Sequence, residues 1–426
     1  MHHKKTVATL ILVFLIGLGV GLSLSYLLEG KLANPVYTIG IVYPMSGRLD
    51  WWGRDAEPII DSAKKDLQAL LGETESNSSF RFLFADSNST GEDALKAVQS
   101  LVAKGAQIIV GLPTSGEVEA VLSYVNQEKV PVISSASTAS HLSMPDNVFR
   151  LSTPENYRAK IGAELALKLG CKKAFVIYRD EAWGHAYAET VLNTFRSGLT
   201  ASGVSFTPSH PGYMNYSKDV RKLEELVAEG GNETLIYVVA WENEDYSIMN
   251  EARKSPTLLR CRWFSAAIYP SLLDESTVDG RLVGLRDFAI SVGLLAPEQY
   301  PPVSNLSIRL MEEAKLRLGH YPSYEHVYLY DAIMIAAESL LAVGNRGRDA
   351  VIKAIPAVAE HYYGATGYKA LDSNGDLKAE DTAFIGVTKK GETYTFSYYV
   401  FYDALRDEFN ILDKPVERKW FFSPQA

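Results

Sequence analysis

A few hydroxyl, aromatic and acidic residues in this sequence have the types and positions to hold a small polar molecule: Trp52, Ser115, Ala136, Ser137, Thr138, Trp183, Trp241 and Glu242. Ser115 opens a predicted helix, where a hydroxyl and the first backbone N–H groups can face an anion with the helix dipole behind them. The same position suits a plain helix N-cap. Ser137 and Thr138 follow the end of a predicted strand, where α/β folds place ligands. They offer hydroxyl and amide donors and the Ala136 carbonyl offers an acceptor, although a Ser-rich turn would read alike. Trp183 and Trp241 each follow a predicted strand, and Trp52, with Trp51 beside it, precedes a predicted helix. An indole supplies a large apolar area and a ring face that attracts an ammonium; packing between lobes is its other use. Glu242, like its neighbours Glu244 and Asp245, could pair with an ammonium or sit as a solvated helix cap.

Other chemistry finds no support. The sequence contains no G-x-S-x-G, no H-E-x-x-H and no phosphate-binding G-x-x-x-x-G-K. Its histidines are scattered, and nothing sets a nucleophile beside a base. The expectation is a binding protein without cofactor or metal rather than an enzyme. Asp372-x-Asn374-Gly375-Asp376 matches half of a calcium loop, but the places that need Gly and the closing Glu hold Leu377 and Ala383, so a tight turn is expected. Cys171 and Cys261 sit in no C-x-x-C pattern; a disulfide and two lone small thiols both remain open. The net charge is −9, with no basic cluster beyond the first five residues, which argues against nucleic acid.

The elements that must position these residues alternate. Strands are expected at 37–43, 80–85, 108–110, 130–134, 174–178, near 205, at 235–240 and at 263–265. Helices are expected at 55–71, 90–104, 115–127, 155–169, 184–201, 217–229, 244–254, 304–318 and 324–343. This rhythm predicts parallel sheets with helices on both faces, and its restart after Pro154 predicts two similar α/β lobes with a cleft between them. Residues 383–403 read as an antiparallel hairpin turning at Lys389-Lys390-Gly391-Glu392, and the tail from 404 has no clear pattern.

The beginning of the chain sets the compartment. His2, His3, Lys4 and Lys5 precede an uncharged run from Val7 to Leu28. A helix needs about 20 apolar residues to span a bilayer, whereas a cleaved signal has an apolar stretch of about 7–15. The run reads as a membrane anchor with everything after Glu29 outside the cell; cleavage near Ser23-Leu24-Ser25 is the rival reading. Asn-x-Ser/Thr acceptors at Asn77, Asn88, Asn215, Asn232 and Asn305 suit an exported surface.

Several segments, in order, resemble the branched-chain amino-acid binding proteins of ABC importers, a family with the type I periplasmic binding fold. They are Ile39-Gly40-Ile41-Val42-Tyr43-Pro44-Met45-Ser46-Gly47 with Trp52-Gly53, Ile109-Val110-Gly111-Leu112-Pro113-Thr114-Ser115-Gly116, Val130-Pro131-Val132-Ile133-Ser134-Ser135-Ala136-Ser137-Thr138 and Val148-Phe149-Arg150-Leu151-Ser152-Thr153-Pro154. Farther on come Val176-Ile177-Tyr178 with Trp183-Gly184, Tyr321-Pro322-Ser323-Tyr324 with Tyr330-Asp331-Ala332, Gly364-Ala365-Thr366-Gly367, and Leu371-Asp372-Ser373-Asn374-Gly375-Asp376. The match spans roughly residues 36–400.

The resemblance implies two Rossmann-like lobes joined by three crossovers. Residues 1–6 would be a cytoplasmic basic end, 7–28 the transmembrane anchor and 29–35 a linker. Residues 36–150 with about 289–363 would form lobe 1, residues 151–288 with about 364–403 lobe 2, and 404–426 an extension. It also implies that Ser115, Ala136, Ser137 and Thr138 hold a carboxylate and that Trp52 closes over the ligand. Trp183 would stand at the first loop of lobe 2. Family members often carry an acidic ammonium partner where this chain reads Ala266-Ala267-Ile268. The implied function is capture of a small amino acid or related carboxylate for separate permease and ATPase subunits; a ligand-sensing receptor ectodomain of the same fold is the alternative.

Overall fold

Short β-branched runs become the strands of two parallel sheets in a computed structural model that describes residues 34–74, 76–196, 200–207, 215–240, 242–268, 272–273, 284–299, 304–322 and 325–417. The expected anchor at 7–28 lies outside these residues. The first sheet comprises β1 (Val36–Tyr43), β2 (Ser79–Asp86), β3 (Ile108–Gly111), β4 (Val132–Ser134) and β5 (Val148–Arg150), in the order β2-β1-β3-β4-β5. The connecting helices are α1 (Asp50–Glu73), α2 (Gly91–Ala103) and α3 (Ser115–Gln127). Side chains alternate across the sheet, as a strand's two-residue period requires. Ile39 and Ile41 enter one core, Val42 and Ile109 the other.

The pattern then repeats through α4 (Glu155–Lys168), β6 (Lys173–Arg179), α5 (Ala182–Phe195), β7 (Thr200–Phe206), α6 (Ser217–Val227), β8 (Thr234–Val239), α7 (Glu242–Ala252) and β9 (Arg262–Ser265). The strands order as β7-β6-β8-β9, all parallel. Phe175 and Ile177 enter one core of this sheet, Ala174 and Val176 the other. In both sheets the order reverses beside the first strand, between β1 and β3 and between β6 and β8. Such a switch point opens a crevice at the carboxyl ends of the strands.

After α8 (Leu285–Ser291), Leu295 pairs with β9 through Ser265 N to Leu295 O at 2.9 Å. The chain runs on into β10 (Ala296–Gln299), which pairs with β13 (Thr382–Lys390), then β14 (Thr393–Asp403) and β15 (Glu408–Glu417), all antiparallel. Between them α9 (Asn305–Leu318), α10 (Glu325–Val343) and α11 (Arg348–Ala359) return to the first core, followed by the small ladder β11 (Tyr363–Gly364) and β12 (Gly367–Tyr368). Helix α10 is long and apolar enough to cross a membrane, but here it is a core helix with 78% of its apolar window buried.

Several expectations shift. Helix α1 begins at Asp50 rather than 55 and takes Trp51 and Trp52 into its first turns. Gly53 permits this, because a Cβ there would lie 2.3 Å from the Pro44 carbonyl oxygen. The helix expected over 184–201 stops at Phe195, and Thr200 and Ala201 belong to β7, drawn into parallel register against Lys173 and Ala174. The return to the first lobe expected near 289 comes later, because Ala289, Val292 and Leu294 pack in a second-lobe core and β10 pairs with β13. The departure expected near 363 is also late: Ala365 and Leu371 still pack in the first core. Cys171 and Cys261 are free, buried thiols, and burial pushes both up. Asp372 closes a tight turn, its Oδ1 accepting from Asn374 N at 2.8 Å and Asp376 N at 3.0 Å.

Candidate functional site

Gly111 ends β3 at φ +114, a conformation that favours glycine; a Cβ would lie 2.2 Å from the Val42 carbonyl oxygen. The turn leads directly into α3. Its N-cap is Thr114, not Ser115: Glu117 N donates to Thr114 Oγ1, and Thr114 N to Glu117 Oε2 at 3.0 Å, a reciprocal capping box. Removing that hydroxyl with Thr114→Ala should cost about 0.5–2 kcal/mol in chemical denaturation. Ser115→Ala, at a position without a capping role, should cost less in the same measurement.

Relieved of capping, the Ser115 hydroxyl lies 3.0 Å from the Ser137 hydroxyl and accepts from Ala139 N at 3.2 Å. Ser137 N reaches Ser134 Oγ at 3.4 Å, and Ser134 Oγ donates to the Leu112 carbonyl at 2.9 Å. The loops after β3 and β4 are thereby tied together, with Ala136 half-buried between them. Thr138 is used differently from the expectation. Its hydroxyl donates to Glu155 Oε1 and its carbonyl accepts from Glu155 N, both at 2.9 Å. It ties the first-lobe loop to the first turn of α4. Burial raises the Glu155 carboxyl, opposed by the charge of Arg158 and by the Thr138 hydrogen bond.

Trp52 stands half-buried against the first core, stacked on Trp51 at 5.7 Å and edge-on to His326 at 6.0 Å. Its indole Nε1 is buried without a hydrogen-bond partner. Trp51 remains 45% exposed. On the second lobe Trp183 lies in the first turn of α5, edge-on to Tyr187 at 6.1 Å. Trp241 lies outside the described residues, and Glu242 opens α7.

Around the carboxyl ends of β6, β8 and β9, sequence reasoning missed one residue and left another among alternatives. Arg179, at the end of β6, pairs with Glu181 Oε1 at 2.7 Å and with the buried Glu244. The missed signal was a lone cation in a loop followed by acids. Glu244 is therefore charge-paired within the protein. Asp245, 1% exposed, accepts from Ser265 Oγ at 3.2 Å through Oδ2, while Oδ1 is buried without a partner. Burial pushes its carboxyl well above the usual range, the Ser265 hydrogen bond opposes this and nearby Glu244 adds to it. Ala266 and Ala267 follow β9 where an acid would meet an ammonium.

The lobe crossings are held by buried charge. Arg150 grips Asp376 with two nitrogens, and Glu380 accepts from Thr153 Oγ1 at 2.8 Å and from the Tyr328 hydroxyl. Near the first crossing, burial lifts Asp146 to about 6, against a hydrogen bond from Val148 N and with a push from Asp376. A carboxyl raised on folding contributes stability that is present below its unfolded value, near 4, and is lost as pH rises through about 6. Asp146→Asn should therefore gain stability relative to the parent as pH goes from 4 to 7, read by urea denaturation at several pH values.

A sequence profile described as "Periplasmic binding protein" matches residues 36–392. An uncharacterized protein of Methanocaldococcus jannaschii is 24% identical over 381 residues, covering 84% of this chain and 88% of its own. Among solved structures, a branched-chain amino-acid ABC transporter ligand-binding protein of Burkholderia xenovorans superposes with a TM-score of 0.67 at 16% identity, covering 91% of this chain and 97% of its own. A leucine-binding protein of Thermotoga maritima gives 0.59 at 19%, covering 84% and 97%. A solute-binding protein of Rhodopseudomonas palustris in complex with 3,4-dihydroxybenzoic acid gives 0.61 at 17%, covering 87% and 98%. Those identities speak for the fold alone. The profile match over most of the chain, together with two α/β lobes linked by three crossings, shows that this chain belongs to the periplasmic binding protein family and has its type I fold.

Proposed function

We propose that this chain is the extracytoplasmic solute-binding component of an ABC importer, held to the membrane by residues 7–28, and that it captures a small carboxylate by lobe closure without changing it covalently. The observation that carries this reading is the pair of hydroxyls on Ser115 and Ser137, 3.0 Å apart at the helix N-terminus beside the first-lobe switch point. A helix N-terminus with two hydroxyls that can turn from one another to an anion suits a carboxylate. Trp52 and Trp183, each in the first turn of a helix after a first strand, would close over the ligand's body from the two lobes. Ala136 and Thr138 shape the same loop, Thr138 chiefly through Glu155. Trp241 and Glu242 would add contacts to the ligand in this reading. Separate permease and ATPase subunits would receive the ligand and drive its passage.

The ligand's other end is less like that of leucine. Ala267 replaces the acid expected there, Glu244 is neutralised by Arg179, and the open acceptor is Asp245 Oδ1, whose carboxyl burial favours in the neutral form. A thermal-shift screen of residues 36–426 against amino acids and small hydroxy- and aromatic carboxylates tests this. A ligand at about 100 times its Kd adds about 2.7 kcal/mol to the folded state and raises the melting temperature. A screen in which no carboxylate moves the transition would count against capture of this class.

A further inference from the structure

The five Asn-x-Ser/Thr triplets look equivalent in sequence, but the fold separates them. Asn88 donates through Nδ2 to Asp93 at 3.0 Å and accepts from Ser46 Oγ at 3.1 Å, and Thr90 is occupied as the N-cap of α2. Asn215 spends its Oδ1 on Ser217 N at 3.1 Å. In the Asn232 triplet Thr234 is 3% exposed at the start of β8, and Glu233 pairs with Lys172 at 2.6 Å. In the Asn305 triplet Ser307 is fully buried in a capping box with Ser304.

Asn77 differs from all four. Asn77 and Ser79 are both exposed, as Asn88 and Thr90 are, but Asn77 lies in the irregular chain between α1 and β2, and among the described residues its amide makes no hydrogen bond. The backbone there is fixed without the Asn77 and Ser79 side chains, since Ser78 N donates to Ser76 Oγ at 3.2 Å and Ser79 N to the Pro35 carbonyl at 2.9 Å. This places Asn77 at the amino ends of β1 and β2, opposite the loops that carry Ser115 and Ser137. A bulky group at that pole leaves the cleft open.

We propose that Asn77 is a site of N-linked glycosylation, an inference that rests on the extracytoplasmic reading of the chain. The donor is a sugar carried on a lipid phosphate. The Asn77 amide nitrogen forms a bond to the sugar's anomeric carbon, the bond from that carbon to the phosphate oxygen breaks, and the oxygen leaves with the electron pair. The proton lost by the amide passes to the released phosphate. Ser79 supplies the hydroxyl that the transferase reads two residues on.

Glycopeptide mass spectrometry on the full chain purified from membranes of its own source tests this. The expected result is a sugar mass on the peptide containing Asn77 and none on those containing Asn88 or Asn305. Asn77→Gln and Ser79→Ala should each remove that mass, Ser79→Thr should retain it, and all three should keep the ligand-induced thermal shift. An unmodified Asn77 in protein that protease reaches on intact cells overturns the inference and leaves solute capture standing. An unmodified chain that protease cannot reach overturns both the inference and the extracytoplasmic reading.

Discussion

Replacing Asp376 by alanine should cost the folded state about 3–5 kcal/mol, a large share of what holds a domain of ordinary stability together. The Arg150 and Asp376 side chains are each 1% exposed. Arg150 Nε reaches Oδ1 at 2.5 Å and Nη2 reaches Oδ2 at 2.7 Å, while Nη1 donates to the Ala139 carbonyl at 2.7 Å. Ser143 Oγ adds a fourth contact, to Oδ2 at 2.6 Å. Truncating the aspartate leaves a guanidinium that stays charged, buried and short of its partner. The pair also joins two distant stretches, for Arg150 N donates to the Gly375 carbonyl at 2.9 Å. Urea denaturation should show the loss as a lower midpoint. Arg150→Met combined with Asp376→Leu should recover much of it, since an apolar pair of similar volume avoids burying a lone charge. A single-variant loss under about 1 kcal/mol would mean that water reaches the guanidinium.

Neither member of that pair announced itself in the sequence. Arg150 lies inside a largely apolar segment, and Asp376 inside a loop that matches half of a calcium site. Their partnership spans more than two hundred positions, and local pattern carries no information at that range. Where the pattern was legible, it was so for local reasons. The run Ile108-Ile109-Val110 could only be a buried strand, and α3 was read at 115–127, the span it occupies. The cap could not be told from local sequence, because Thr114 and Ser115 are both good N-caps and only the reciprocal bond with Glu117 decides between them. Strand β10, Ala-Pro-Glu-Gln, has little strand propensity and exists because β13 pairs with it. Strand β15 is a largely exposed edge bearing Pro415, so it lacks the alternation that identifies a half-buried strand. Trp52 and Trp183 could be placed near loop mouths because each follows a strand, but Arg179 with Glu244 needed the sheet to bring β6 beside β8.

The one-residue shift of the cap is also what makes the second large effect sharp. Because Thr114 holds the helix end, Ser115→Ala removes a donor without removing a cap, and the fold should lose less than it does with Thr114→Ala. Ligand affinity should notice a good deal: a hydrogen bond to a charged group contributes about 1.5–3 kcal/mol, so losing it weakens binding about ten- to a hundredfold. Ser137→Ala, which removes the hydroxyl 3.0 Å away, should act in the same direction, and the double variant should fall short of the sum because the two oxygens already lean on one another. Thr138→Ala should behave differently. Its hydroxyl is given to Glu155 Oε1, so its loss falls on the tie between the lobes and on stability before it falls on the ligand. Calorimetric titration with whichever carboxylate raises the melting temperature separates the three. If Ser115→Ala binds as tightly as the parent while Thr138→Ala does not, the anion is not held at the end of α3, and the search for its seat moves to the Glu155 side of the crossing.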